Sequence, residues 1–299
     1  MEGSKIPDES RAGSGPAQSA ARALLRLSPH ERVPVRLRRV VRPLTARLRF
    51  VGVRPDDVLI ASYPRSGSTW IRFLLTEIMM RQPAEWPLVN RVIPDAGGHG
   101  EAPAVLSGGG RLIKTHDRFV GPCRRAVYIV RDVRDVVLSE YRWELRDGVR
   151  RTLDEQIELT LTSRTPMSLF GSWRDHVTYW LGIDAARRGD LLVIKFEEFR
   201  QDPVAKLREV LGFLGLDTTA PEIDAAIANN SVEKMRDREE HAVDAGISSG
   251  DPRYPWIGQG AVMGWRTKLT PEQAQRLSVG TGDVLSRLGY PTGDHGGTG

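Results

Sequence analysis

Two short groups of residues in this 299-residue chain carry side chains that can hold an anion and move a proton. The segment Ser62-Tyr-Pro-Arg-Ser-Gly-Ser-Thr-Trp70 sets one permanent cation, Arg65, beside the hydroxyls of Ser68 and Thr69 and around a glycine, Gly67. Gly67 permits backbone geometry or a close approach that a Cβ would hinder. The amides of Ser66, Gly67, Ser68 and Thr69 are then expected to converge on one spot at the positive end of the following helix. Such a spot binds phosphate or sulfate, which Arg65 can grip through two N–H groups at once. The plainer reading is an ordinary strand-to-helix turn, and the Walker pattern GxxxxGK[ST] is absent. The second group, Lys114-Thr-His116, joins an ammonium to an imidazole, whose ordinary pKa of about 6.5 suits proton transfer near neutrality. Taken alone, His116 reads as a hydrogen-bonded structural histidine and Lys114 as the solvated end of a strand.

These groups need elements to position them. Val58 to Tyr63, Ala126 to Val130 and Leu191 to Phe196 are near-continuously apolar, as strands buried on both faces are, and Arg111 to Lys114 is a weaker fourth. Helical patterns follow Ser68, Asp135, Ser172 and Asp202, the last with Pro203 at its first position. Thr270-Pro-Glu-Gln273 reads as a capping box opening a final helix. Strands alternating with helices predict an α/β fold, a mostly parallel sheet with helices on both faces, and ligands there lie beyond the carboxyl ends of the strands. Trp86 to Gly110 and the stretch around Arg146 to Pro166 read as loops that shape an acceptor pocket. Arg134, in a charge run at a helix start, is expected to face solvent.

A hydrophobic content of 40% and a charged content of 27% fit a soluble globular chain, and no apolar run approaches the roughly 20 residues of a membrane span. The first residues carry acids and no apolar block, so the expected compartment is the cytoplasm. One cysteine, Cys123, excludes an internal disulfide, and the six histidines show no ligand spacing, so no metal is expected. The net charge of +5 favours anionic partners such as nucleotides, nucleic acid or lipid head groups. Much of it lies between Arg32 and Arg49, where arginines alternate with valine and leucine; this reads as a basic surface arm, with weak contact to a membrane surface as the alternative. The expected organisation is a disordered arm over 1–30, a basic segment over 31–50, a single domain over 51–291 and a flexible tail over 292–299.

The segment Ser62 to Trp70 resembles the TYPKSGTTW loop of the PAPS-dependent sulfotransferases, which cradles the 5′-phosphosulfate of 3′-phosphoadenosine-5′-phosphosulfate. Further likenesses follow in the family's order. Lys114-Thr-His116 resembles its KTH motif, Tyr128 to Ser139 its 3′-phosphate segment, Gly171 to Trp180 its GSWxxHV helix and Gly260 to Trp265 its late RKGxxGDW loop. The likeness covers roughly Val58 to Leu269. It implies a P-loop-like phosphosulfate-binding loop, PAPS as co-substrate, and transfer of a sulfonate to a hydroxyl, less readily an amine, of a small acceptor, giving PAP and a sulfate ester.

By that resemblance His116 is the general base and Lys114 neutralises charge on the sulfonate or the leaving group. Arg65 stands where the family most often has lysine; it cannot hand over a proton, so its implied role is electrostatic. Ser66, Gly67, Ser68 and Thr69 hold the 5′ end, Trp70 stacks on adenine, and Arg131 and Ser139 hold the 3′-phosphate. Ser231 lies in NNSVEKM, a weak match to the adenine segment, and Gln259 and Gly260 belong to the late loop. His30, His99, His176, His241 and His295 keep structural readings.

Departures from the family pattern matter as much. Phe196 replaces a tyrosine, and Gly258 and Gln259 replace an arginine and a lysine, so the 3′-phosphate clamp loses two cations. The expectation is a neutral nest of backbone amides over 258–260, with Arg131 carrying the main charge and Arg253 as the alternative cation. Arg266 to Gln275 lacks the KxxxTVxxxE dimer motif. Two other classes compete: a nucleotide kinase using ATP and magnesium, opposed by the missing Walker lysine, and a basic nucleic-acid module, opposed by the absence of any RRM, KH or zinc-finger pattern. No nucleic-acid partner is expected.

Overall fold

The computed structural model describes residues 46–118, 121–244, 253–258 and 260–292. The expectations placed on 1–45, on the tail from 293 and on Gln259 lie outside the described residues. Four strands, β1 (Val58–Ser62), β2 (Leu112–Thr115), β3 (Arg125–Val130) and β4 (Leu191–Lys195), pair in the order β2-β1-β3-β4, all parallel. The helices are α1 (Ser68–Met80), α2 (Trp86–Val92), α3 (Val133–Arg146), α4 (Leu153–Leu161), α5 (Trp173–Gly182), α6 (Asp184–Arg188), α7 (Phe196–Gln201), α8 (Pro203–Leu214), α9 (Ala220–Asn229), α10 (Val232–Asp244), α11 (Trp265–Lys268) and α12 (Pro271–Arg287).

Side chains alternate along a strand, so each central strand feeds two cores. β1 sends Val58 and Ile60 to one face and Leu59 and Ala61 to the other, and β3 divides Val127 and Ile129 from Ala126, Tyr128 and Val130. The first face is covered by Ile71, Leu74 and Leu75 of α1 and by Leu207, Val210 and Leu211 of α8. Trp173, Val177 and Trp180 of α5, with Leu277 and Leu285 of α12, cover the second. With both faces dry, the strand termini are left for function, and the chain leaves β1 directly into the loop that begins α1.

Several boundaries differ from the sequence reading, each for a local reason. α3 starts at Val133 because the Asp132 side chain caps it, accepting the Arg134 N–H at 2.9 Å, so Ser139 is its seventh residue. Arg134 is buried, 1% exposed, and not in solvent. Its guanidinium pairs with Asp132 and lies 3.7 Å from the Trp265 ring centroid, so charge and plane are both satisfied inside. The helix after Ser172 breaks at Ile183, whose backbone is extended, into α5 and α6. α2 and α4 occupy segments read as loops; Pro87 in the first turn of α2 and the Thr152–Glu155 capping box of α4 were the overlooked start signals. The Thr270 box and the Asp202 cap form as expected.

Candidate active site

The loop between β1 and α1 turns on two residues in the left-handed region, Arg65 at φ 67° and Gly67 at φ 98°. A Cβ on Gly67 would sit 2.4 Å from Phe196 Cδ2, so both conformation and space demand glycine. Asp132, Thr152, Ser172, Asp202, Thr219 and Thr270 cap their own helices with a side chain, whereas the Gly67 cap of α1 supplies none and the first turn holds no acid. The first N–H groups of α1 therefore have no side-chain acceptor at the cap and suit an external anion.

That helix start borders a cavity of about 470 Å³. Arg65, Gly67, Ser68, Thr69 and Trp70 line it from β1–α1, Lys114 and His116 from the end of β2, and Arg131 and Ser139 from the end of β3 and from α3. Gly260 also lines it, while Ser66 lies buried beneath with its hydroxyl unpartnered. Ser231 is absent from the lining; its hydroxyl accepts the Lys234 N–H at 3.4 Å at the start of α10, a capping role. Its neighbours Asn230, Val232 and Met235 face the cavity instead.

His116 has a defined tautomer. Its Nδ1 lies 2.7 Å from the Ser62 carbonyl oxygen, which can only accept, so Nδ1 carries the proton and Nε2 keeps its lone pair. Burial, and next the charge of Lys114, push the imidazole well below its usual 6.5, so it is neutral at physiological pH. His176 fixes it from behind. The Nε2–H of His176 donates to the His116 carbonyl at 3.0 Å, which leaves its Nδ1 to accept the Tyr128 hydroxyl at 2.9 Å. Burial lowers His176 to about 3. Sequence reasoning passed over this contact because nothing in the spacing joins α5 to the residue after β2.

The cations are held by separate partners. Lys114 Nζ donates to Asp95 at 2.7 Å, a carboxylate delivered by a parallel bridge between Asp95 and Lys114 beside β2. Burial pushes Lys114 down while Asp95 opposes the shift. Arg65 reaches across the cavity, its Nε donating to Ser139 Oγ at 3.1 Å and its NH2 group to the Trp256 carbonyl at 3.1 Å. Burial, and next the charge of Arg131, lower Arg65 to about 10, so it remains charged at neutrality. Arg131 donates to the Arg65 and Ala261 carbonyls at 3.3 and 3.0 Å and lies 4.6 Å from the Phe196 ring, tying three loops together. Trp70 is oriented by its N–H on the Asn230 carbonyl at 2.9 Å, with the Arg200 guanidinium 5.0 Å from its ring. Arg253, the alternative cation, is exposed beside Tyr254 and does not line the cavity.

Residues 55–289 match the family described as "Sulfotransferase domain". The chain belongs to the PAPS-dependent sulfotransferase family. Among its relatives, sulfotransferase 1C2 of Oryctolagus cuniculus is 27% identical over 256 residues, covering 75% of this chain and 81% of that one. Sulfotransferase 2A1 of Mus musculus is 26% identical over 270 residues, covering 83% and 89%. The fold is shared with mouse sulfotransferase SULT7A1, solved in complex with PAP, at a TM-score of 0.58 and 23% identity over 79% of this chain and 87% of that one. It is also shared with retinol dehydratase, solved with androsterone and PAP, at 0.62 and 17% over 78% and 81%. The kinase and nucleic-acid readings give way to this assignment.

The remaining lining of the sulfotransferase cavity was only partly visible in the sequence. Trp86, Trp143, Met167, Phe170, Trp256 and Ile257 supply apolar lining, and the Phe170 ring lies 5.4 Å from the His116 imidazole. Trp86 opens one of the segments expected to shape the acceptor pocket, and Trp143 stands four residues after Ser139, on the same face of α3.

Proposed function

We propose that this sulfotransferase moves a sulfonate from PAPS to a hydroxyl of a small, largely apolar acceptor, with His116 Nε2 as the base. The observation that carries the reading is the fixed Nδ1–H of His116, which leaves Nε2 as a proton acceptor at the cavity wall beside Lys114. The residues present suit the co-substrate: a glycine cradle that a Cβ would fill, a helix start without a side-chain cap, and cations on either side. In the reaction PAPS supplies activated sulfur; the acceptor oxygen bonds to it as the bond to the 5′-phosphate oxygen breaks, and PAP leaves. His116 Nε2 takes the acceptor proton. Lys114 and Arg65 offset the charge that gathers on the sulfonate and the departing phosphate, with Arg65 acting as a fixed charge. Trp70 offers a face for the adenine, and the apolar wall of Trp86, Trp143 and Phe170 favours a ring-bearing acceptor over a charged one. The apolar ligands of retinol dehydratase, androsterone and retinol, support that choice.

Replacing His116 with alanine tests the base. Turnover is expected to drop about 10²- to 10⁴-fold, the range of a general base, while PAP affinity measured by calorimetry stays close to wild type. Wild-type turnover in the purified variant would remove His116 from the role. A parallel panel of phenols, alcohols and arylamines with labelled PAPS separates oxygen from nitrogen acceptors.

A further inference from the structure

A second, smaller cavity of about 50 Å³ adjoins the first and shares Arg65, Arg131, Ser139, Gly258 and Gly260 with it. Two further cations line only the smaller one, Arg142 of α3 and Lys268 of α11. We propose that Arg142 and Lys268 hold the 3′-phosphate of PAPS, supplying from two helices the charge that the loop at 258–259 lacks. This inference rests on the PAPS reading above.

The placement follows from helix periodicity. Asp135, Leu138, Ser139 and Arg142 stand at i, i+3, i+4 and i+7 of α3, so they share one face, and that face is a wall of the small cavity. Opposite it runs a glycine-rich loop. Gly260 is in the left-handed region at φ 60°, and a Cβ on Gly258 would meet nothing within 4 Å, so the space beside Gly258 is open. A Cβ on Gly264 would lie 3.5 Å from Asp135 Oδ1 and 3.9 Å from Lys268 Nζ, so the missing side chain leaves the lysine a path to the rim.

Charge points the same way. Among the described residues, Arg65, Arg131, Arg142 and Lys268 line the cavity together with one carboxylate, Asp135. Asp135 is already engaged, with Oδ1 accepting the Trp265 N–H at 2.9 Å and Oδ2 lying 4.0 Å from Arg131. Arg65 and Arg131 repel one another, which a dianion between them would relieve. The orientation of the nucleotide decides which anion that is. The sulfonate must reach His116 and Lys114, so the phosphosulfate end occupies the β1–α1 loop, and the other anionic group is left for the far side of Arg65 and Arg131.

Arg200, over Trp70, is the rival cation; its Nε is buried without a partner, and it lies 3.3 Å from where a Gly260 Cβ would stand. Calorimetry of the full chain with PAP and with 5′-AMP, which lacks the 3′-phosphate, separates the two. Wild type is expected to prefer PAP. Arg142→Ala and Lys268→Ala should each cut that preference roughly tenfold or more, and the double variant should cut it further, to what Arg131 alone supplies, with AMP affinity unchanged. Arg142→Gln, which keeps the length of the side chain, serves where an alanine variant fails to fold. A preference kept by the double variant, or lost in Arg200→Ala instead, would overturn the assignment. A wild type that binds PAP no better than AMP would overturn the PAPS reading itself.

Discussion

The Ser62 carbonyl decides which nitrogen of His116 can change its protonation, because it holds the proton on Nδ1. Burial and Lys114 disfavour a second proton, on Nε2, so the folded enzyme keeps a neutral imidazole at pH values where the free side chain is half charged. A base that is active when neutral loses activity as pH falls through its own pKa. The acid limb of kcat/KM is therefore expected below pH 6.5, with a level profile from there to about pH 8. Lys114→Met removes one cause of the depression and should move that limb upward; a limb that stays in place would mean Lys114 does not act on His116. The sequence made His116 and Lys114 legible through their motif. It hid the His176 contact, since a histidine on an apolar helix face looks like any satisfied core residue.

At the scale of elements, the β1–α1 loop is the segment where function costs stability. Arg65 holds a left-handed backbone that side chains other than glycine adopt at a penalty of about 1–2 kcal/mol. Its side chain spans the cavity in return, from Ser139 to Trp256. Replacing Arg65 with alanine removes those contacts and keeps the strain, while glycine removes both. Urea unfolding should then find Arg65→Gly more stable than Arg65→Ala by about 1 kcal/mol, with turnover impaired in both. Equal stabilities would show that the backbone at Arg65 bears no load. The loop was readable because Gly67 and the flanking apolar runs speak in local terms. α2 and α4, seven and nine residues long, offer too few turns for a periodic pattern, so only Pro87 and the Thr152 box mark them.

Across the whole molecule, the alternation of apolar runs with helical patterns was enough for a parallel sheet covered on both faces, since strands buried on both sides leave few other architectures. The acceptor wall was legible only as two segments and not as a set of side chains. Trp86, Trp143, Phe170 and Trp256 come from well-separated parts of the chain and line one cavity only once the helices are packed on the sheet. Arg142 and Lys268 are likewise brought to one small cavity by two helices that are distant in sequence.

The imidazole of His116 hangs between two neighbouring strands: its ring is bonded to the carbonyl of Ser62 in β1, and its backbone oxygen is reached through His176 from Tyr128 in β3. Those strands pair in register from Val58 against Arg125 to Ser62 against Ile129, in the middle of the sheet. The proposed base thus has no private opening motion. It comes loose only when the two central strands come apart, so activity lost in urea and ellipticity lost in urea should trace one curve with one midpoint. Inactivation at a clearly lower urea concentration would show that the His116 imidazole is set by a looser, separately melting part of the chain.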